Sequence, residues 1–440
     1  MAISLQELKQ QVRSQKERIP SLYGAVDFDK TPTRFAERIS DRSQMPRRLA
    51  KKFRPALLAD AERVERARAY TMLGDIVADA YAALMPRYGF RNLIGMLQKA
   101  CDQGLDAVPD APPELVDFIS AMEKPPEWLD MSLVEEGARI SRNQMANLTP
   151  FAIRGAFIAT FMNKYSGLPM ALTGTLSSES AVQRVNETAS FFTTATLPGA
   201  LQRYGVGFKA AAMVRLMHSM VRFNLLTRSD KWDVNVYGIP IPQVDQMPAG
   251  TIPGFLAAFA AMGRKKKKFT SEERAIVELC RYQSYLLGLP EELLPATPKA
   301  IVDVMMAYSG TLRDGYDDET CGALVRATMA AYRPKDKRVR SRIFNQVEKS
   351  FSKVFFYRVF LSEGNRSLAK KMNVNASPID YLFFAMVSAY VLPRVVATKV
   401  AQRIPVIDGM VDRMLVKKIN RLLIEYGHPE YTTDASSYKV

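Results

Sequence analysis

Histidine is nearly absent from this chain of 440 residues. The two histidines are His218 and His428, so any function that needs an imidazole must use one of them. Mononuclear metal sites with two or three histidine ligands are excluded unless both side chains converge. By elimination, the metal chemistry that this composition supports best is a centre with a single imidazole ligand.

Cysteine is scarce as well. Cys101, Cys280 and Cys321 are scattered without Cys-x-x-Cys spacing, which excludes a cysteine zinc site and a disulfide framework and is typical of a reducing compartment. The sequence also lacks both glycine-rich phosphate loops and the Gly-x-Ser-x-Gly elbow of α/β hydrolases. These absences argue against nucleotide chemistry and serine-hydrolase chemistry.

Acidic residues and long apolar runs are both in short supply. The 61 Lys and Arg outnumber the 45 Asp and Glu, for a net charge of +16. Such a charge attracts nucleic acid or anionic membrane, but no nucleic-acid recognition motif is present, so we expect no nucleic-acid partner. The longest apolar run, Tyr381 to Leu392, has twelve residues and is too short for a transmembrane helix. The N-terminus is too polar for a secretory signal. We therefore expect a cytoplasmic protein, with a peripheral membrane contact left open.

What the sequence does have is helical periodicity. From Asp60 onward, apolar residues recur at helical spacing, and no internal repeat or alternating strand pattern appears. The pattern predicts an all-α fold with globin-like packing of helices around a cofactor pocket in one large domain, residues 56–370. Residues 1–55 are expected to form a basic extension that packs loosely on this domain. Residues 371–440 are expected to form apolar and amphipathic helices packed on the core, with Pro393 kinking or breaking one of them.

The most informative stretch runs from Ala181 to Leu226, and its first half reads as a helix from about Ala181 to Thr196. This helix places Arg184, Glu187 and Thr188 at steps of three and four, which is one face of an α-helix. Leu197-Pro198-Gly199 then predicts a turn. One helix thus offers a base, an acid and a hydroxyl on an otherwise apolar face.

The second half of this stretch, about Phe208 to Leu226, predicts another helix with His218 at the centre of an apolar stripe. Arg215 and Arg222 lie one turn to either side of that imidazole. An imidazole could bind iron, and two arginines could pair with carboxylates of a flat apolar cofactor, which is a description of haem. On composition alone, a histidine satisfied within the core is the commoner outcome.

The segment Arg-Val-Asn-Glu-Thr at Arg184–Thr188, followed by Val-Arg-Leu-Met-His-Ser-Met-Val-Arg around His218, resembles the haem-dependent rubber oxygenase family of latex-clearing and mpaB-type proteins. Further similar segments are Pro125–Asp130, Tyr165–Leu176, Tyr237–Phe255 and Gly288–Pro295. The resemblance implies a b-type haem with His218 as its proximal iron ligand and with Arg184 and Thr188 on the distal side. It also makes Gln243 and Thr251 candidates for the pocket.

One departure from that family concerns Glu187. Latex-clearing proteins have a lysine between the distal arginine and threonine, whereas this chain has a carboxylate that could serve as a general base, or as an acid if burial raises its pKa. The resemblance implies an oxygenase that uses O2 to cleave or oxygenate a C=C bond in a lipophilic, isoprenoid-like substrate. The alternative is a membrane-associated helical protein that binds lipid or haem without catalysis.

Overall fold

Capping signals in the sequence set the helix boundaries in the computed structural model. Thr270 and Glu273, for example, form a capping box, and their reciprocal hydrogen bonds satisfy amides that a first helical turn leaves open. The structure describes residues 3–173, 177–361 and 366–427. Within these ranges there are helices and two isolated bridges but no β-strand. The predicted all-α fold is confirmed.

The α-helices are numbered here in chain order. They are α1 Leu5–Arg18, α2 Pro20–Tyr23, α3 Arg47–Ala59, α4 Ala61–Thr71, α5 Ile76–Ala82, α6 Met85–Tyr88, α7 Phe90–Gln103, α8 Pro113–Glu123, α9 Met131–Asn147, α10 Thr149–Ile158, α11 Lys164–Leu172, α12 Ser178–Thr194, α13 Val206–Thr227, α14 Val234–Tyr237, α15 Ile252–Met262, α16 Ser271–Leu286, α17 Pro298–Thr311, α18 Ala323–Ala330, α19 Val339–Val359, α20 Arg366–Lys371, α21 Pro378–Ala401 and α22 Asp408–Tyr426. A π-helical turn, Asp318–Gly322, precedes α18.

The helices of the described residues group into two compact units. The first unit contains residues 3–137 and 199–314 of the described chain, and the second contains residues 138–198 and 315–427. In the first unit α13 is the central element, with α2, α5, α7 and α16 packed on it. Its small and apolar side chains are buried along most of its length, so α13 forms the core of this unit.

The N-terminal segment is part of the first unit and not a loose arm. Leu8 and Tyr23 are fully buried, and α1 packs on α2 and α4. The guanidinium of Arg34 forms a bidentate ion pair with Asp245, with nitrogen–oxygen distances of 2.8 and 2.6 Å. The basic composition of this segment did not reveal that some of its side chains are buried, or that Arg34 forms an ion pair.

The second unit is built on α10, α12, α19 and α21. α10 packs on α19, α19 packs on α21, and α12 packs on α10, α18 and α22. A buried apolar cluster that includes Phe157, Val185 and Phe356 joins α10, α12 and α19. Arg154 and Glu348, both fully buried, form an ion pair in the same core. Because α12 is anchored on several sides, the position of its polar face is fixed within this unit.

Helix α21 corrects two expectations. It runs unbroken for 24 residues through Pro393, so the proline does not end it. It is also long and apolar enough to cross a membrane by length and composition, so the expectation that no segment reaches that length is wrong. One face packs on α19 through Val387 and Val391, whereas the opposite face is exposed.

Because α10 lies close to α19, adding one methyl group between the two helices is expected to destabilise the protein. A Cβ at Gly155 would lie 2.5 Å from the carbonyl oxygen of Ser352, so Gly155→Ala is expected to lower the free energy of unfolding by about 1–3 kcal/mol. Gly95 on α7 has open space at the same position, and Gly95→Ala is expected to raise it by roughly 0.5–1 kcal/mol. Chemical denaturation of both variants measures this difference. Equal stabilities would contradict the packing of α10 on α19.

Candidate functional site

Helix α13 is buried along almost its whole length, apart from one patch. Between Ala210 and Leu225 every residue is buried except Val214, Met217 and His218. These three residues are spaced by three and four positions, so they lie together on one side of the helix. The imidazole is therefore the polar group of a small, half-open apolar patch. The other histidine, His428, lies outside the described residues.

The His218 imidazole is held by a buried amide. Its Nδ1 lies 2.8 Å from Oε1 of Gln246, and Gln246 is itself almost fully buried. Histidines that bind a metal through one ring nitrogen usually have the other nitrogen hydrogen-bonded to an oxygen of this kind, which orients the ring. The imidazole held in this way would fit as a ligand to the iron of a haem group.

Arg215, one turn before His218, is paired with a carboxylate. Its Nε and Nη2 donate to the two oxygens of Asp75 at 2.6 and 2.9 Å, and both side chains are buried. The guanidinium also lies over the ring of Phe118, with its Cζ atom 5.1 Å from the ring centroid. This bidentate pair joins α13 to the N-cap residue of α5.

Arg222, one turn after His218, is paired in the same way. Its guanidinium binds Asp79, and it also donates to the backbone carbonyls of Pro240 at 3.0 Å and Ile241 at 2.7 Å. The hydroxyl of Tyr23 donates to the other Asp79 oxygen at 2.5 Å. Burial raises the pKa of Asp79, and it raises the pKa of Tyr23 well above its ordinary value, although Arg222 opposes both shifts.

These pairs bear on the predicted role of the two arginines. The sequence predicts that Arg215 and Arg222 pair with carboxylates of the cofactor, and this role stays a prediction. In the structure both guanidiniums already have carboxylate partners, and breaking a buried pair costs about 3–5 kcal/mol. The geometry therefore favours a different contribution, in which the arginines fix the helix that carries His218.

On α12, in the second unit, the structure brings Arg184, Glu187 and Thr188 onto one side of the helix as predicted. Arg184 Nη1 donates to Glu187 Oε2 at 3.1 Å, and Gln183 Nε2 donates to Glu187 Oε1 at 2.9 Å. Thr188 is half-buried beside them. Burial raises the pKa of the Glu187 carboxyl, against the opposing effects of Arg184 and Gln183. This carboxyl can hold a proton at a higher pH than an ordinary glutamate.

Sequence reasoning missed three residues that support these side chains, namely Asp75, Asp79 and Gln246. The two aspartates are four positions apart at the start of the short apolar helix α5. Two carboxylates on an otherwise apolar helix could have predicted that each pairs with a buried basic side chain. Gln246 carried no local signal, because its role depends on a contact with a residue 28 positions away.

Comparisons with known proteins agree with the fold and with the family resemblance. Residues 142–400 match the family described as "ER-bound oxygenase mpaB/B'/Rubber oxygenase, catalytic domain". The match extends well past Pro295, the end of the last segment that resembles the family by sequence. A solved structure of a latex clearing protein in its closed state is similar at a TM-score of 0.56 and 17% identity, covering 81% of this chain and 91% of that one. At this identity the likeness shows a shared fold. No curated protein matches the chain.

The raised pKa of Glu187 predicts a pH-dependent stability difference. The folded protein binds this proton more tightly than the unfolded chain, so the stabilisation is complete below about pH 4.3, the ordinary glutamate value, and is lost as the pH rises through the folded-state pKa. Glu187→Gln, which is neutral throughout, is expected to gain stability relative to the wild type as the pH rises. Denaturant titrations between pH 4 and 8 measure this change, and Glu179→Gln on the same helix is the control for an exposed carboxylate. A difference that stays constant or reverses with pH would contradict the burial of Glu187.

Proposed function

The chain belongs to the ER-bound oxygenase mpaB/B'/rubber oxygenase family, and from that premise we propose that it is a haem b-dependent oxygenase acting on a lipophilic substrate. The observation that carries the proposal is the half-open patch on α13, where His218 stands among apolar neighbours with its Nδ1 held by Gln246. A histidine that only satisfied the core would not need to interrupt the burial of this helix.

In this proposal His218 would bind the iron, and the apolar side chains of Val214 and Met217 would help to hold the cofactor. When bound, haem supplies an iron centre at which dioxygen is activated. The protein supplies the orientation of the imidazole and an apolar surface that excludes water. Arg215 and Arg222 hold α13 through their aspartate partners, and pairing of either one with a haem carboxylate is the alternative that remains a proposal.

Arg184, Glu187 and Thr188 are proposed as the catalytic side chains. Arg184 stabilises developing negative charge, as a fixed cationic donor does in a water-poor site. Glu187 holds or releases a proton at its carboxyl oxygen, and burial raises its pKa above that of an ordinary glutamate, toward the range that a general acid or base needs. Thr188 contributes a hydroxyl that can donate or accept one hydrogen bond.

The proposed reaction is oxidative cleavage or oxygenation of a C=C bond by O2, with an isoprenoid-like substrate. Support for this reaction is the family membership and the match of the Arg184–Thr188 and His218 segments to the rubber oxygenase pattern. The replacement of the family's distal lysine by Glu187 points to a proton-transfer role at that position. A haem protein that does not turn over substrate, such as a sensor or carrier, is the competing interpretation.

Oxygen uptake tests the proposed reaction. Purified protein loaded with haem is incubated with an oligo-isoprenoid such as squalene under 18O2, and the products are examined by mass spectrometry. We expect oxygen consumption with 18O in the products, and a loss of both in His218→Ala. Glu187→Gln is expected to keep its haem and to slow turnover by about 100-fold, which is typical for loss of a general acid or base. An unchanged pH profile in Glu187→Gln would remove this residue from the mechanism, and absence of oxygen uptake across a series of lipophilic alkenes would favour the sensor or carrier.

A peripheral contact with an anionic lipid surface is a second proposal, and the exposed face of α21 favours it. Ile379, Leu382, Met386 and Tyr390 recur at helical spacing, and each side chain is more than half exposed. Residues 333–427 contain 19 Lys and Arg but 7 Asp and Glu, so this apolar face stands in a strongly basic part of the chain. Each basic residue near an anionic bilayer contributes on the order of 1 kcal/mol to the free energy of binding to the membrane.

Vesicle flotation tests this second proposal. The protein is expected to float with vesicles of phosphatidylcholine and phosphatidylserine at low salt, and to bind less as salt screens the charges. The double variant Leu382→Glu with Met386→Glu is expected to lose binding, whereas Tyr204→Glu, which alters an exposed aromatic residue outside α21, should retain it. Lack of flotation at low salt would rule out the lipid contact, and with it the membrane-docking alternative to an enzyme.

A further inference from the structure

A chain of side-chain amides leads from the backbone to the imidazole of His218 in the first unit. Gln243 Nε2 donates to the carbonyl oxygen of Gly74 at 3.2 Å, and Gln246 Nε2 donates to Gln243 Oε1 at 3.3 Å. Gln246 Oε1 then lies 2.8 Å from His218 Nδ1. Both glutamines are at least 95% buried. This arrangement, Gly74–Gln243–Gln246–His218, is called the amide relay below.

The amide relay has a fixed direction because its first acceptor is a backbone carbonyl. The Gly74 oxygen cannot donate, so the atom of Gln243 that faces it must be the nitrogen. Gln243 Oε1 is then the acceptor for Gln246, and Gln246 must present its own oxygen to the imidazole. Reversing either amide would place two acceptors against each other in a buried site, at a cost of about 1–3 kcal/mol for each unsatisfied group.

The backbone around the two glutamines is held in an unusual conformation. Of the five non-glycine residues with positive φ in the described ranges, three lie here, namely Ile241 at 47°, Met247 at 56° and Ala249 at 64°. A β-branched residue in this region is a clear outlier. Such strain persists where surrounding contacts enforce it, and it concentrates at functional sites.

Several anchors enforce this conformation. Arg222 binds the carbonyls of Pro240 and Ile241, Arg34 binds the Asp245 carboxylate, and the backbone N–H of Gln243 donates to Leu73 at 2.8 Å. The segment that carries both glutamines is therefore tied down on each side. Its strain is consistent with a requirement for the two amides in these positions.

We infer that Gln243 and Gln246 are positioning residues that set the tautomer of His218, with the proton on Nδ1 and the lone pair on Nε2. On the proposed function, this makes Nε2 the iron-binding nitrogen. The acceptor at Nδ1 also makes the imidazole a stronger electron donor to a bound metal. Gln243 acts on His218 without touching it, through the orientation of Gln246.

The tautomer can be measured directly because the chain has two histidines. Folded full-length protein, prepared without haem and labelled with 15N at histidine, gives long-range 1H–15N spectra with two imidazole spin systems. The His428→Asn variant identifies the signal of His218. At about pH 8, where an ordinary histidine is neutral, we expect the proton of His218 on Nδ1. Free histidine favours the other tautomer, so a predominant Nε2–H signal in the wild type would overturn the inference without any further variant.

Three variants separate the amide relay from a general structural role. Gln246→Met removes the acceptor and is expected to shift His218 toward the Nε2–H tautomer and to weaken haem binding by at least about tenfold. Gln246→Glu keeps an oxygen at this position and is expected to retain the Nδ1–H tautomer. Gln243→Met leaves Gln246 in place but removes its orienting partner, so a partial shift of the tautomer is expected.

The control is Thr71→Val, which removes another buried side-chain hydrogen bond of the same unit, from Thr71 to Ala67, and should leave the His218 signal unchanged. An unchanged tautomer in Gln243→Met would overturn the relay. Failure of the proposed function would look different: the Nδ1–H tautomer would be present, but the protein would bind no haem. Haem binding with an Nε2–H signal in the haem-free protein would instead refute the relay and leave the proposed function standing.

Discussion

The short loop Met72–Asp75 is the constraint on which the rest of the candidate site depends. The side chain of Gln15 binds the Gly74 amide and the Met72 carbonyl, while the Asp75 carboxylate pairs with Arg215. A side chain at residue 74 would collide with the Tyr23 hydroxyl and would lie 2.6 Å from an Asp79 oxygen. Glycine is thus required where a buried ion pair approaches the loop. This one loop sets the position of α13 and supplies the acceptor from which the orientation of His218 follows.

The two halves of the proposed chemistry make different physical demands on their helices. His218 needs rigidity, and its helix has it, because buried carboxylates clamp α13 through Arg215 and Arg222 on either side of the imidazole. The proposed role of Glu187 requires a raised proton affinity, and partial burial on α12 raises the pKa of its carboxyl against the opposing effect of Arg184. Each of these properties serves the role proposed for its own side chain, iron binding for His218 and proton transfer for Glu187.

Periodicity along the sequence was sufficient to predict the helices and the faces of α12 and α13, because each of those faces is decided by residues three and four positions apart. It could not predict the partner of Arg215, since Asp75 lies 140 residues away and only tertiary packing brings the two together. The amide relay escaped prediction for the same reason. Local sequence could not decide whether Pro393 kinks or breaks α21. The helix continues through it, and side chains before and after the proline, Val391 and Val395, pack in one apolar cluster with Phe351 of α19.

The central claim is that His218 binds haem, and the absorption spectrum of the purified protein tests it most directly. Wild type, His218→Ala and His428→Ala are produced with adequate haem supply and compared. The account predicts a Soret band in the wild type and in His428→Ala, and its loss or shift in His218→Ala. A wild type without haem, or a band that survives His218→Ala unchanged, would contradict the account and return His218 to an ordinary place in the helical core.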